Sequence, residues 1–135
     1  MVGILSPDAA PGRSRDHGAV RARIDSFRWV DLEDGRKAHD PAHANELLEM
    51  YIGLQGEAGV ERFQLSVCTP SALAEQLSPH SFLIGRHWLF VAELHPDKVT
   101  AWLSDRIAVL EAPTWDELAG KIGRIGEWEF EDYVH

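Results

Sequence analysis

From Val20 the chain alternates, with Val20, Ala22 and Ile24 on one side and Arg21, Arg23 and Asp25 on the other. A period of two predicts a half-buried strand running toward Trp29. Residues 31–45 carry Asp, Gly, Lys, His, Pro and Asn and read as a long polar loop. Alternation resumes over Glu46–Leu54, where Leu48, Met50, Ile52 and Leu54 interleave with Glu49, Tyr51 and Gly53. After the Gly-rich turn Gln55–Gly59 it returns over Val60–Cys68, with Phe63, Leu65 and Val67 against Arg62, Gln64 and Ser66. Two alternating runs joined by a short loop predict an antiparallel hairpin.

Thr69-Pro70 then predicts a helix start, with Thr69 as cap and Pro70 at the first helical position. That helix is expected to reach about Leu77 and end before Pro79. The bulky run Arg86–Leu94 predicts a further strand. His95-Pro96-Asp97 opens a second helix to about Leu110, with Val99, Trp102, Leu103, Ile107 and Leu110 as its apolar stripe and Pro113 beyond. Thr114-Trp-Asp-Glu117 has the spacing of a capping box. A third helix follows on Trp115, Leu118, Ile122 and Ile125, with Gly126 as its stop. The closing Glu127–Tyr133 alternates acidic and apolar residues, as a short strand or an extended docked tail would.

Strands first and helices later predict an α+β fold: an antiparallel sheet of about four strands, two to three helices on one face, the other face partly open. Residues 1–18 mix Pro, Gly, Ser and Arg without period and read as a flexible N-terminal tail. Residues 19–135 read as a single domain, since 135 residues hold one core of ordinary size.

The charge balance narrows the partners. Twenty-two acidic against 13 basic residues give a net charge of −9. A nucleic-acid backbone and an anionic membrane surface both favour the opposite sign. No apolar run approaches the roughly 20 residues of a membrane span. A single cysteine, Cys68, forbids an intramolecular disulfide. With no export signal at Met1–Leu5, it points to the cytoplasm.

Catalytic and cofactor chemistry finds little support. Cys68 precedes a predicted helix, so a thiol nucleophile with His87 or His95 as base is conceivable, but a small apolar residue at a strand end explains it as well. His39 and His43 are four apart, yet Pro41 lies between them and no further ligands are evident. The glycines at 53, 56 and 59, and at 120, 123 and 126, lack the Lys-Ser/Thr of a phosphate loop. No cofactor, metal or catalytic residue is assigned, and the chain is not read as an enzyme.

Three stretches carry more information: Phe63-Gln-Leu-Ser-Val-Cys-Thr-Pro-Ser-Ala-Leu73, Thr114-Trp-Asp-Glu-Leu118 and Trp128-Glu-Phe-Glu-Asp-Tyr133. Together with the hairpin Tyr51–Phe63, they resemble the immunity protein 8 family of bacterial polymorphic toxin systems. The resemblance spans about residues 20–134 and leaves residues 1–18 outside.

The resemblance implies a small cytoplasmic protein that binds and blocks a cognate toxin domain, with no turnover and no cofactor. An acidic protein facing a basic toxin gains electrostatic steering, which matters where capture must be fast. Acidic clusters at Asp31, Glu33 and Asp34 and at Glu127, Glu129, Glu131 and Asp132 are candidate docking surfaces. The candidate toxin-binding residues are Glu127, Glu129, Glu131, Asp132, Trp29 and Tyr133. The aromatics of the closing motif serve equally well as scaffold or as interface. The alternative is a small ligand-binding or regulatory α+β domain using the open sheet face.

Overall fold

A computed structural model describes residues 18–32 and 38–131. The expected tail therefore falls outside the described residues, apart from Gly18. The strands β1 (Val20–Trp29), β2 (Asn45–Leu54) and β3 (Glu61–Cys68) form an antiparallel meander. The predicted hairpin is there, with Met50 opposite Phe63 and Leu48 opposite Leu65. A register shift between Ile24 and Ser26 marks a bulge in β1. Beyond it, Phe27 and Trp29 return to the apolar side, opposite Met50 and Leu48.

The rest of the sheet departs from expectation. β4 is only Trp88–Phe90, and it runs parallel to β3. β5 (Glu111–Ala112) extends the β1 edge, and β6 (Glu127–Trp128) pairs antiparallel with β3. The sheet is thus mixed and six-stranded, in the order β4-β3-β2-β1-β5 with β6 also on β3, not four-stranded and antiparallel. β4 and β6 divide one edge of β3 between them. β6 takes Phe63 and Gln64, and β4 takes Ser66 to Cys68. That division explains why the apolar run after Arg86 yields only three residues of strand.

Helices α2 (Pro96–Ala108) and α3 (Trp115–Ile122) follow the meander. Val99, Leu103 and Ile107 recur every four residues on α2 and are buried, as are Leu118, Ala119 and Ile122 on α3. They share one core with Leu48, Met50, Ile52, Phe63, Leu65 and Val67. Trp102 does not join them. It is 48% exposed, and the Arg106 guanidinium lies 4.9 Å over its ring. The capping box holds at its first bond, since the Thr114 hydroxyl accepts from the Glu117 N–H at 3.2 Å. α3 ends one turn early, at a Gly123 cap and not at Gly126.

Helix α1 (Pro70–His80) carries two corrections. It continues through Pro79, which near the C-terminus forfeits a single intrahelical bond, and it closes on Ser81 in the left-handed region. Thr69 precedes it but makes no side-chain cap. Its buried hydroxyl instead accepts from the Ala44 N–H at 3.0 Å and lies 3.3 Å from the Ala44 carbonyl. That pair ties the start of α1 to the chain entering β2. His43 adds contacts to Ser71 and Glu75 at 2.8 and 3.2 Å.

Candidate interaction surface

The pleat that turns Leu48, Met50 and Ile52 into the core turns Glu49 and Tyr51 to the other side of β2. The register then sets their neighbours. Arg28 of β1, Glu49 of β2, Gln64 of β3 and Glu127 of β6 lie in one cross-strand row. Ser26, Tyr51 and Arg62 lie in the next. This outer face carries a charged web. Arg28 Nη1 donates to Glu49 Oε1 at 2.9 Å, and the Tyr51 hydroxyl donates to the same oxygen at 2.8 Å. Arg62 Nη1 stands 3.8 Å from Oε2.

Glu49 is only 7% exposed, although it stands on the side away from the core. The Tyr51 hydrogen bond, with the Arg28 bond and the charges of Arg28 and Arg62 behind it, holds its carboxyl below the ordinary value against the opposing effect of burial. Reciprocally, the bond to Glu49 pushes the Tyr51 phenol up. Glu46 is raised, first by burial and then by Asp31.

The C-terminal acids border this face and differ in their engagement. Glu127 is exposed beside Gln64, and its carboxylate has no hydrogen-bond or ion-pair partner among the described residues. Glu129 is fastened to β3, with its carboxylate accepting from the Arg62 N–H at 2.6 Å and its own N–H donating to the Arg62 carbonyl at 3.0 Å. Glu131 pairs with Arg86 at 2.5 Å and lies 3.6 Å from His87 Nε2, so it locks the approach to β4. Trp29 lies in the core at 7% exposure and does not meet these acids. Asp132 and Tyr133 lie outside the described residues, as do Glu33 and Asp34.

Within the closing motif, Trp128 is built into the fold. Its ring stacks on Phe63 at 6.2 Å, and its indole N–H donates to Glu61 at 2.7 Å. Phe130 packs edge-on to Trp128 and keeps 38% of its surface exposed. The polar web of the outer face was missed in the sequence. The available signal was a Glu at a polar position of a middle strand, with Arg at polar positions of the strands on either side.

The catalytic candidates are not assembled. Cys68 is fully buried and its thiol is pushed up by burial, the reverse of an activated nucleophile. The His87 ring contacts the Gly123 carbonyl at 2.7 Å, and the His95 ring contacts Glu93 at 2.9 Å. Among the described residues no group of three or more His, Cys, Asp or Glu could hold a metal ion, and no helix is long and apolar enough to cross a membrane. A cavity of about 370 Å³ lies between β4 and α2, lined by Leu89, Phe90, Val91, Lys98, Val99 and Trp102. One of about 230 Å³ lies against the β2–β3 turn beside Trp115, whose indole N–H is buried without a partner among the described residues.

The fold is thus a small α+β domain with a buried Cys68 and a charged outer sheet face. The chain matches the family model for Immunity protein 8 over residues 22–133, and it belongs to that family. No curated protein and no solved structure matches it.

Proposed function

We propose that this chain is an immunity protein that neutralises a cognate toxin domain by binding it directly and non-covalently in the cytoplasm, with no catalytic step and no cofactor. Membership of the Immunity protein 8 family carries this reading. The docking surface is the outer sheet face with its C-terminal border, Glu127, Glu129 and Glu131; Asp132 and Tyr133, the next candidates in sequence, lie outside the described residues. Trp29 is buried in the core, and its contribution to the surface is to position its neighbour Arg28, which bonds Glu49 there. The net charge of −9 favours a basic toxin, whose approach it would steer. The reading as a small ligand-binding domain on the open sheet face draws no support from the two cavities, which lie away from Glu49.

The test is to seek a toxin domain among the neighbouring genes and co-express it with this chain. Rescue of growth and a one-to-one complex are expected, and a toxin that kills equally in its presence would end the reading. The surface is tested by association kinetics. Reversing Glu127 together with Glu129 should slow association by about tenfold or more at low salt and flatten its salt dependence. Unchanged kinetics would move the docking surface elsewhere.

A further inference from the structure

We propose that Arg28 and Arg62 form a clasp on the outer sheet face that takes a carboxylate, an Asp or Glu side chain presented by the toxin domain. This rests on the reading of the chain as a toxin-binding immunity protein.

The geometry is that of a built site. β1 and β3 flank β2, and each sets one arginine beside Glu49. Both oxygens of Glu49 are engaged, by Arg28 and Tyr51 on one and by Arg62 on the other. Its side chain is 10% exposed, whereas those of Arg28 and Arg62 are 59% and 44% exposed. The anchor is therefore buried and the two guanidinium groups reach solvent. Each has five N–H donors in a planar fork suited to a carboxylate. Arg28 commits one of them to Glu49 by a hydrogen bond.

The charge also favours an anionic group. The two guanidinium groups share a single carboxylate, Glu49, while the neighbouring Glu129 carboxylate is taken by the Arg62 backbone N–H. The other arginines of β1 are spent on the fold. Arg21 bonds Glu111 and the Ala108 carbonyl, and Arg23 bonds the Glu57 and Gly59 carbonyls and Asp25. Among the described residues, the guanidinium groups of Arg28 and Arg62 have no partner except Glu49. Neutralising the buried Glu49 needs only part of this donor set, since Arg28 gives it one N–H and Arg62 stands 3.8 Å away. The remaining donors suit binding, because guanidinium groups held in place lose less freedom when a partner arrives.

The clasp and the acidic border divide the work. The border accelerates the approach of a basic toxin, and the clasp holds one carboxylate on it, which sets register and slows dissociation. Arginine and tyrosine are also among the residues that dominate binding energy at protein interfaces.

The probe is the purified toxin domain of the co-expression test, with binding followed by surface plasmon resonance. Against the R28Q/R62Q double variant, dissociation should be at least about tenfold faster, with association changed far less. Carbodiimide labelling with glycine ethyl ester should mark one toxin Asp or Glu in the complex with the variant and spare it in the complex with wild type. If R28Q/R62Q does not fold, R28K/R62K carries the same measurement, since it keeps both charges beside Glu49 and removes the planar forks. Wild-type binding with unchanged dissociation in the folded variant, or with no protected carboxylate, overturns the clasp and leaves the immunity reading standing. A toxin domain that does not bind wild type overturns both. A wild-type dimer that R28Q/R62Q dissolves would give the face to a second copy of this chain and overturn the clasp alone.

Discussion

The rings of Phe63 and Trp128 lie 6.2 Å apart and within 14° of parallel, directly across the β3–β6 pair. Sixty-five positions apart in sequence, they join the first residues of the hairpin's second strand to the end of the described chain. Trp115 meets the same Phe63 edge-on at 6.4 Å, so one ring gathers two tryptophans from the C-terminal third. Aromatic pairs in such geometries add to the area they bury. The tryptophan of the closing motif is therefore scaffold, and the acid before it is not. Trp128→Ala should cost about 3 kcal/mol of unfolding free energy by urea denaturation. Glu127→Gln should stay within about 0.5 kcal/mol of wild type. Equal effects from the two would mean that the stacking does not hold β6 in place.

Two glycines test how tightly the meander closes. A Cβ at Gly53 would stand 2.1 Å from the Gly59 carbonyl oxygen, a backbone atom that Arg23 also holds. A Cβ at Gly126 would stand 2.8 Å from Met50 Cε, the far end of a flexible side chain. Gly53→Ala should therefore cost about 3 kcal/mol or more, because backbone has to move. Gly126→Ala should cost about 1 kcal/mol, because Met50 can turn aside. Thermal melts of the two variants side by side check the order, and Gly126→Ala proving the worse of the two would contradict it.

What could be read in the chain alone was what is local. The alternation of Leu48, Met50 and Ile52 against Phe63, Leu65 and Val67 contains its own partner, so the hairpin followed from it. The Thr114 cap needs only the residue three positions on. The run Trp88-Leu-Phe-Val-Ala92 is apolar without a period, and its strand length is set by how much of β3 is left beside β6. Thr69 looked like a cap because its alternative partner, Ala44, is 25 residues away. Glu49 is the same problem on the outer face. In sequence it is the polar half of an alternating strand, and only the register brings Arg28 and Arg62 to either side of it.

Cys68 offers a test of the thiol chemistry that its sequence context left open. It is fully buried, and burial raises its thiol above the ordinary cysteine range, so the thiolate is scarce and shielded. Ellman's reagent at about pH 8 should leave the native protein unlabelled over minutes and label it fully once unfolded in guanidinium. Cys68→Ala should cost about 1 kcal/mol and leave toxin neutralisation intact. Rapid labelling of the native state, or loss of neutralisation in a folded Cys68→Ala protein, would return a functional thiol to consideration.

The Glu49–Tyr51 bond makes a two-sided prediction about pH. The Glu49 carboxyl titrates below its ordinary value of 4.5, chiefly because Tyr51 donates to the ionised form, with Arg28 and Arg62 adding to the effect. A carboxylate depressed on folding stabilises the native state above its unfolded pKa, and that stability is lost as pH falls through the lower folded value. Tyr51 is raised above 10.0 by the same bond, so its contribution is complete below that value and is lost as pH rises through the folded pKa. Tyr51→Phe should therefore flatten both limbs at once: a shallower loss of stability below about pH 4.5 and a shallower loss above about pH 10. Glu49→Gln should do the same while leaving Arg28 and Arg62 without their shared anion. Urea denaturation midpoints across the two ranges give the measurement. If Tyr51→Phe alters the alkaline limb and leaves the acid limb unchanged, the arginines and not the phenol hold Glu49 ionised.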